Sequence, residues 1–192
     1  SYATPQDILR RSVEELKALK EQKMGILYVG VESGDDETLK IIRKNATHDQ
    51  MVEAAKKVKE SGILLSVTVI LGLGGTRRSK EHVAETARIL TEMDPDYAGA
   101  LTLTLIPGTE LYNEWKKGEF ELITPFESLQ ELKGIVENTT FTNCFFSSMH
   151  ASNYYAIRGT MPKDKEKVLN QLNAILSRKD PRLLRPEFMR GL

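Results

Sequence analysis

Three short apolar, β-branched runs, at 25–32, 63–71 and 97–106, alternate with segments of helical period, and this alternation most narrows the folds open to the chain. A strand, a helix and a second strand in succession make a parallel pair with a right-handed crossover. Near-continuous apolar strands belong to a sheet covered by helices. A weak internal repeat agrees: the stretch from Glu21 to Leu27 echoes that from Lys59 to Leu65, each a helix end, a glycine stop and an apolar strand. The expectation is an α/β fold whose three parallel strands pair in sequence order, with helices over one face.

Apolar residues at Ile8, Leu9, Val13, Leu16 and Leu19 predict a helix over 8–20. Further helices are expected over 36–44, 47–60, 80–93, 109–117, 126–138 and 163–178. Thr47 and Gln50 have capping-box spacing, Gly62 is placed to end the helix they open, and Asp94-Pro95 stops the next one. The stretches 139–155 and 180–192 are expected to be irregular, and no long linker divides the chain.

Charge and cysteine usage exclude some classes of function. Lys+Arg and Asp+Glu balance at 27 each, which gives no general reason to expect nucleic acid or an acidic membrane as partner. The apolar runs are too short and too β-branched to span a bilayer. A single cysteine forbids an intrachain disulfide and fits a reducing compartment. The opening residues Ser1 to Pro5 lack the pattern of a signal peptide. A cytoplasmic protein is expected.

The carboxyl ends of parallel strands are where α/β proteins place ligands. Glu32 and Ser33 end the first run, ahead of the acidic opening of a helix, and read either as polar ligand contacts or as a capping loop with Asp35 or Asp36 serving the helix dipole. Gly72-Leu73-Gly74-Gly75-Thr76 follows the second run. It matches neither phosphate-loop nor dinucleotide spacing and reads as a ligand-facing loop or a flexible turn. Ile106-Pro107-Gly108-Thr109 ends the third. The histidines, His48, His82 and His150, show no metal-ligand spacing, so no metal site is expected from them. His48 is expected exposed, His150 sits in a polar cluster reaching to Tyr155, and Cys144 reads as core packing.

In order and spacing, Gly30-Val31-Glu32-Ser33-Gly34, Gly72-Leu73-Gly74-Gly75 and Leu105-Ile106-Pro107-Gly108-Thr109 resemble the strand-end motifs in the second half of a radical S-adenosylmethionine (SAM) barrel. The resemblance is to coproporphyrinogen-oxidase-like and elongator-like members, and covers the chain from Ser1 to about Tyr112. The tail, with His150 to Tyr154 and Leu184 to Glu187, is similar to the C-terminal part of a bacterial subgroup of that superfamily. The resemblance implies a partial (β/α) barrel over 1–118 and a mainly helical extension over 119–192. It implies that Glu32 and Ser33 approach the ribose and amino-acid part of SAM, that Arg43 reaches its carboxylate, that Val69 to Gly72, Ile70 included, lie near the adenine, and that Leu105 to Gly108, with Ile106 and Pro107, close the adenine side.

The family's Cys-x3-Cys-x2-Cys motif has no counterpart here. The expectation is a C-terminal fragment of an enzyme that, whole, holds a [4Fe–4S] cluster and cleaves SAM to a 5′-deoxyadenosyl radical. The fragment itself is expected to be inactive and cofactor-free, with an open sheet edge that invites self-association. Two rival readings are a non-catalytic nucleotide- or phosphate-binding module using Gly72 to Thr76, and an interaction domain whose Pro- and Arg-containing tail docks a partner.

Overall fold

The computed structural model describes residues 1–191. The predicted strands form as β1 (Ile26–Glu32), β2 (Leu64–Leu71) and β3 (Tyr97–Thr102), paired in parallel and in sequence order. Two more strands extend the sheet: β4 (Cys144–Ser147), parallel to β3, and β5 (Arg158–Met161), antiparallel to β4. The five-stranded order is β1-β2-β3-β4-β5. At the opposite edge, Tyr2 bridges Tyr28 in parallel, so Ser1 to Ala3 cover part of the β1 edge.

Helices cover one face of this sheet. They are α1 (Pro5–Leu9), α2 (Val13–Glu21), α3 (Asp36–Ile41), α4 (His48–Ser61), α5 (Gly75–Met93), α6 (Glu110–Lys117), α7 (Pro125–Asn138) and α8 (Lys165–Arg178). Of these, α1 and α2 lie against α4, while α6 buries no residue and stands at the strand-end cleft. Alternate strand residues Leu27, Val29 and Val31, then Leu65, Val67, Val69 and Leu71, then Ala98 and Ala100, and finally Cys144 and Phe146 are buried under the helices. Each large aliphatic among these contributes roughly 1.5–3 kcal/mol by leaving water. The residues between them form the other face, which no helix covers: Tyr28, Leu64, Tyr97 and Phe145 are each about 40% exposed. No helix among the described residues is long and apolar enough to cross a membrane.

Several elements differ from the sequence expectation. The helix read over 8–20 is two helices, because Thr4 with Asp7 and Ser12 with Glu15 build separate capping boxes, and Ser12 starts a new helix where continuous period suggested one. The helix expected over 36–44 ends at Ile41, with Arg43 in a left-handed turn at φ 56°. Helix α5 begins at Gly75 rather than Lys80, kinked at Arg78, so the glycine motif is partly the first helical turn. Strand β3 stops at Thr102, short of Ile106. Beyond Gly99 it has no β4 residue beside it, and the amide of Thr102 donates to the Ser152 hydroxyl instead. The segment 139–155 holds a strand where irregular chain was expected. The four-residue length of β4 and the absence of an apolar run in β5 hid both. Thr47 and Gln50 do form the capping box of α4, and Gly62 ends it at φ 76°.

Candidate functional site

The end of β1 is bent by a bulge between Gly30 and Glu32, where Glu32 adopts φ 65°. This conformation folds the Glu32 carboxylate back over Gly30 on the uncovered face, where it pairs with the Lys44 ammonium at 3.0 Å. A Cβ on Gly30 would strike that carboxylate, so the glycine makes the room the acid occupies. Across the uncovered face, Gly30, Thr68, Gly99 and Ser147 stand in register and form a shallow trough. It lies between the aromatic row of Tyr28, Tyr97 and Phe145 and the apolar pair Ile70 and Leu101.

Ser33, expected at the ligand, is fully buried. Its hydroxyl accepts from the Asp35 amide and lies 2.8 Å from His82 Nδ1. Burial pushes the His82 pKa down to about 4, so the ring is neutral at pH 7. Next to it, Asp35 caps α3 through the Thr38 amide and receives two bonds from Arg78, each 2.8 Å. Burial acts to raise the Asp35 pKa, but the Arg78 and Thr38 donors outweigh it and hold it at about 2. The ligand and capping readings thus separate: Ser33 and Asp35 anchor the loop, and Glu32 faces outward.

The glycine loop is held from behind. Glu131 of α7 is buried yet accepts the Gly72 amide and the Ser79 hydroxyl, each at 2.6 Å. Burial pushes its pKa up to about 7. The Gly75 amide donates to Gly72 and the Thr76 amide to the Glu121 carbonyl. Ile123 sits within 3.2 Å of where a Gly72 Cβ would be. The amides of Gly72, Gly75 and Thr76 are thereby committed inside the protein and are not offered to an anion.

In front of the loop lies a cleft at the carboxyl ends of the strands. One part, of about 510 Å³, is walled by Ile41, Arg43, Leu73, Thr76, Glu114 and Phe120. A second part, of about 300 Å³, adds Leu103, Thr104 and Ile106 from the loop after β3. Arg43 spans the mouth to Glu110 of α6 at 2.6 Å, an exposed pair open to exchange for a ligand carboxylate. Of the residues expected at the site, Arg43 and Ile106 line this cleft, Glu32 and Ile70 face the trough, Gly72 supports the wall from behind, and Pro107 is exposed on the rim. Lys44, His82 and Glu131 were missed, since their partners lie far away in sequence or on another helix.

His48, expected exposed, is buried: Nδ1 contacts the Gly34 carbonyl at 3.1 Å and Nε2 meets Glu92 at 3.2 Å. His150 lies 2.9 Å from Ser152. Among the described residues no three His, Cys, Asp or Glu side chains gather as a metal site. A [4Fe–4S] cluster does not fit this chain. It takes three or four thiolates, whereas Cys144 is alone, buried on the helix side of β4, its thiol pushed by burial up to about 12. SAM fits better: the cleft and trough offer apolar walls for a base, a carboxylate and lysine at the strand end, and an arginine for a carboxylate.

Residues 2–90 match the model of the radical SAM superfamily. An uncharacterized methyltransferase of Pyrococcus horikoshii is 33% identical over 96 residues, covering 50% of this chain and 20% of that protein. The heme chaperone HemW of Bacillus subtilis is 30% identical over 136 residues, covering 70% of this chain and 34% of HemW. The chain therefore spans between about a fifth and a third of the length of these curated relatives. The solved structure of archaeal Elp3 from Methanocaldococcus infernus superposes with a TM-score of 0.56 at 21% identity, covering 70% of this chain and 31% of Elp3. The parallel sheet, its strand-end cleft and the sequence match from Tyr2 onward together place this chain in the radical SAM superfamily.

Proposed function

We propose that this chain is the SAM-binding side of a radical SAM enzyme, and that the thiolates for its cluster come from outside these residues. The observation that carries the reading is the Glu32–Lys44 pair set over Gly30 at the head of an uncovered trough. It presents fixed charge to a polar ligand at the edge where parallel α/β proteins bind. The uncovered row of Tyr28, Tyr97 and Phe145 then forms the inner wall of a barrel that the longer protein completes. Bound beside a cluster, SAM supplies one-electron hydrogen-abstraction chemistry. The residues of this chain bind and orient it: Glu32 takes a ribose hydroxyl, Arg43 exchanges Glu110 for the ligand carboxylate, and Ile70, Leu101 and Ile106 shield the base from water.

Committed amides in the glycine loop disfavour the rival phosphate-binding reading. Calorimetric titration of the chain with 5′-deoxyadenosine, ATP and inorganic phosphate separates the two. Saturable binding of the nucleoside with no response to phosphate supports the SAM reading. A phosphate response with a silent nucleoside supports the module.

A further inference from the structure

Both walls of the cleft are tied down by residues of the C-terminal extension. The loop after β3 carries Leu103, Thr104 and Ile106 into the cleft, yet it has left the sheet and makes few ladder bonds of its own. Arg190, 87 positions later, enters under it with its side chain only 5% exposed. One Nη2 donates to the Leu103 carbonyl at 2.8 Å and to the Thr104 hydroxyl at 3.1 Å. Nε donates to the Ser152 carbonyl at 2.6 Å. Nη1 is shared between the Tyr154 hydroxyl and Glu187, and the guanidinium lies 4.3 Å over the Tyr154 ring. A planar fork with five donors suits this set of acceptors, and a lysine cannot reproduce it.

Across the cleft, Glu131 of the same extension does the corresponding job for the glycine loop through the Gly72 amide and Ser79. Arg190 is a buried charge and Glu131 a buried carboxyl, groups that fold stability alone does not favour over well-packed apolar ones. Both end on backbone atoms of cleft-wall loops, and neither lines the cleft part its loop helps to form.

We propose that Arg190 and Glu131 are positioning residues that hold the two walls of the cleft at the spacing an adenosine group requires, making the C-terminal extension a brace on the cofactor site. The inference rests on the SAM reading. It adds that cofactor affinity is set in part by residues of the last third of the chain that do not touch the ligand.

The test is calorimetric titration of the chain with 5′-deoxyadenosine, in wild type and in Arg190→Ala, Arg190→Lys, Glu131→Ala and Glu131→Gln. Amide hydrogen exchange is followed at 103–108, at 72–76 and in β2. Arg190→Ala and Glu131→Ala should each weaken binding about tenfold, the scale of one lost charge-assisted anchor. Glu131→Gln should recover most of the affinity, because its amide oxygen still accepts the Gly72 N–H, and Arg190→Lys should recover little. Exchange should rise in the wall loops and stay unchanged in β2, which a general loss of structure would not spare. A wild-type chain that fails to bind the nucleoside would sink the SAM reading and the brace with it. Binding that survives intact in both alanine variants would overturn the brace alone.

Discussion

Glu131 Oε2 lies 3.8 Å from His82 Nε2, both side chains are buried, and His82 Nε2 makes no hydrogen bond. Burial has moved their pKa values in opposite directions, to about 7 for the acid and about 4 for the base. Near pH 6 the folded pair is two neutral groups, with the proton on the carboxyl rather than the imidazole.

This pairing fixes a pH signature. Between about pH 4.5 and 6.5 the unfolded chain carries one proton on His82 and the folded chain one on Glu131, so the pair adds no slope. Glu131→Gln should unmask the histidine. The unfolded chain then takes up a proton that the folded one refuses, and stability falls as pH drops from about 6.5 towards 4. His82→Gln should unmask the acid. The folded chain then holds a proton that the unfolded one releases, so stability rises as pH drops from about 7 towards 4.5. Each slope approaches about 1.4 kcal/mol per pH unit. Urea unfolding of each variant and of wild type across this range checks it, and differences from wild type of the same sign in both variants would contradict it.

Gly34 marks where the turn after β1 meets α5. A Cβ there would collide with the Glu85 carbonyl, and the Gly34 amide already donates to Thr86 at 3.1 Å. Backbone cannot swing aside as a side-chain end can. Gly34→Ala should therefore cost about 1–3 kcal/mol in denaturant unfolding, the range of an overpacked interior. A change under a few tenths would show that the turn and helix are not in contact.

Gly30→Ala should behave differently. The atom in its way is the mobile end of Glu32, so the side chain can turn out and stability should change by less than about 1 kcal/mol. Glu32 would then leave Lys44, and nucleoside binding should drop severalfold. Equal losses of stability in the two glycine variants would contradict this division.

Cys144 should resist a thiol reagent in the folded chain and react once urea unfolds it, because burial keeps the sulfur protonated. Iron–sulfide reconstitution of the chain alone should leave no cluster absorbance. Fast native labelling, or stoichiometric bound iron, would contradict the placement of this residue.

Much of the fold was legible because β1, β2 and the first part of β3 are buried by helices and so read as apolar runs. The capping box of Thr47 and Gln50 and the stop at Gly62 were legible because local hydrogen bonds and backbone angle decide them. Strand β5 was not: Arg158 to Met161 acquires strand geometry from pairing with β4, not from its own composition. The site divides likewise. Glu32 and Ile106 stood out from their places after strands and Arg43 only through the family resemblance; the structure puts Glu32 beside the trough and Arg43 and Ile106 along the cleft. Lys44 sits on the turn after α3, and Glu131 and Arg190 reach the site across 59 and 87 positions, distances that leave no local pattern. Ser33 was misplaced because a polar residue at a strand end reads the same whether it faces a ligand or, as here, a buried histidine.

The central claim is that the strand-end edge of this chain holds SAM, with Glu32 as its charged contact. It is tested most directly by SAM calorimetry on a longer protein that contains this chain and carries a loaded cluster, compared with its Glu32→Ala variant. The account predicts saturable SAM binding that weakens by roughly 1–3 kcal/mol in the variant, the worth of a hydrogen bond to a charged group, with the unfolding midpoint little changed. Equal affinity in the two proteins, both folded and cluster-loaded, would contradict it.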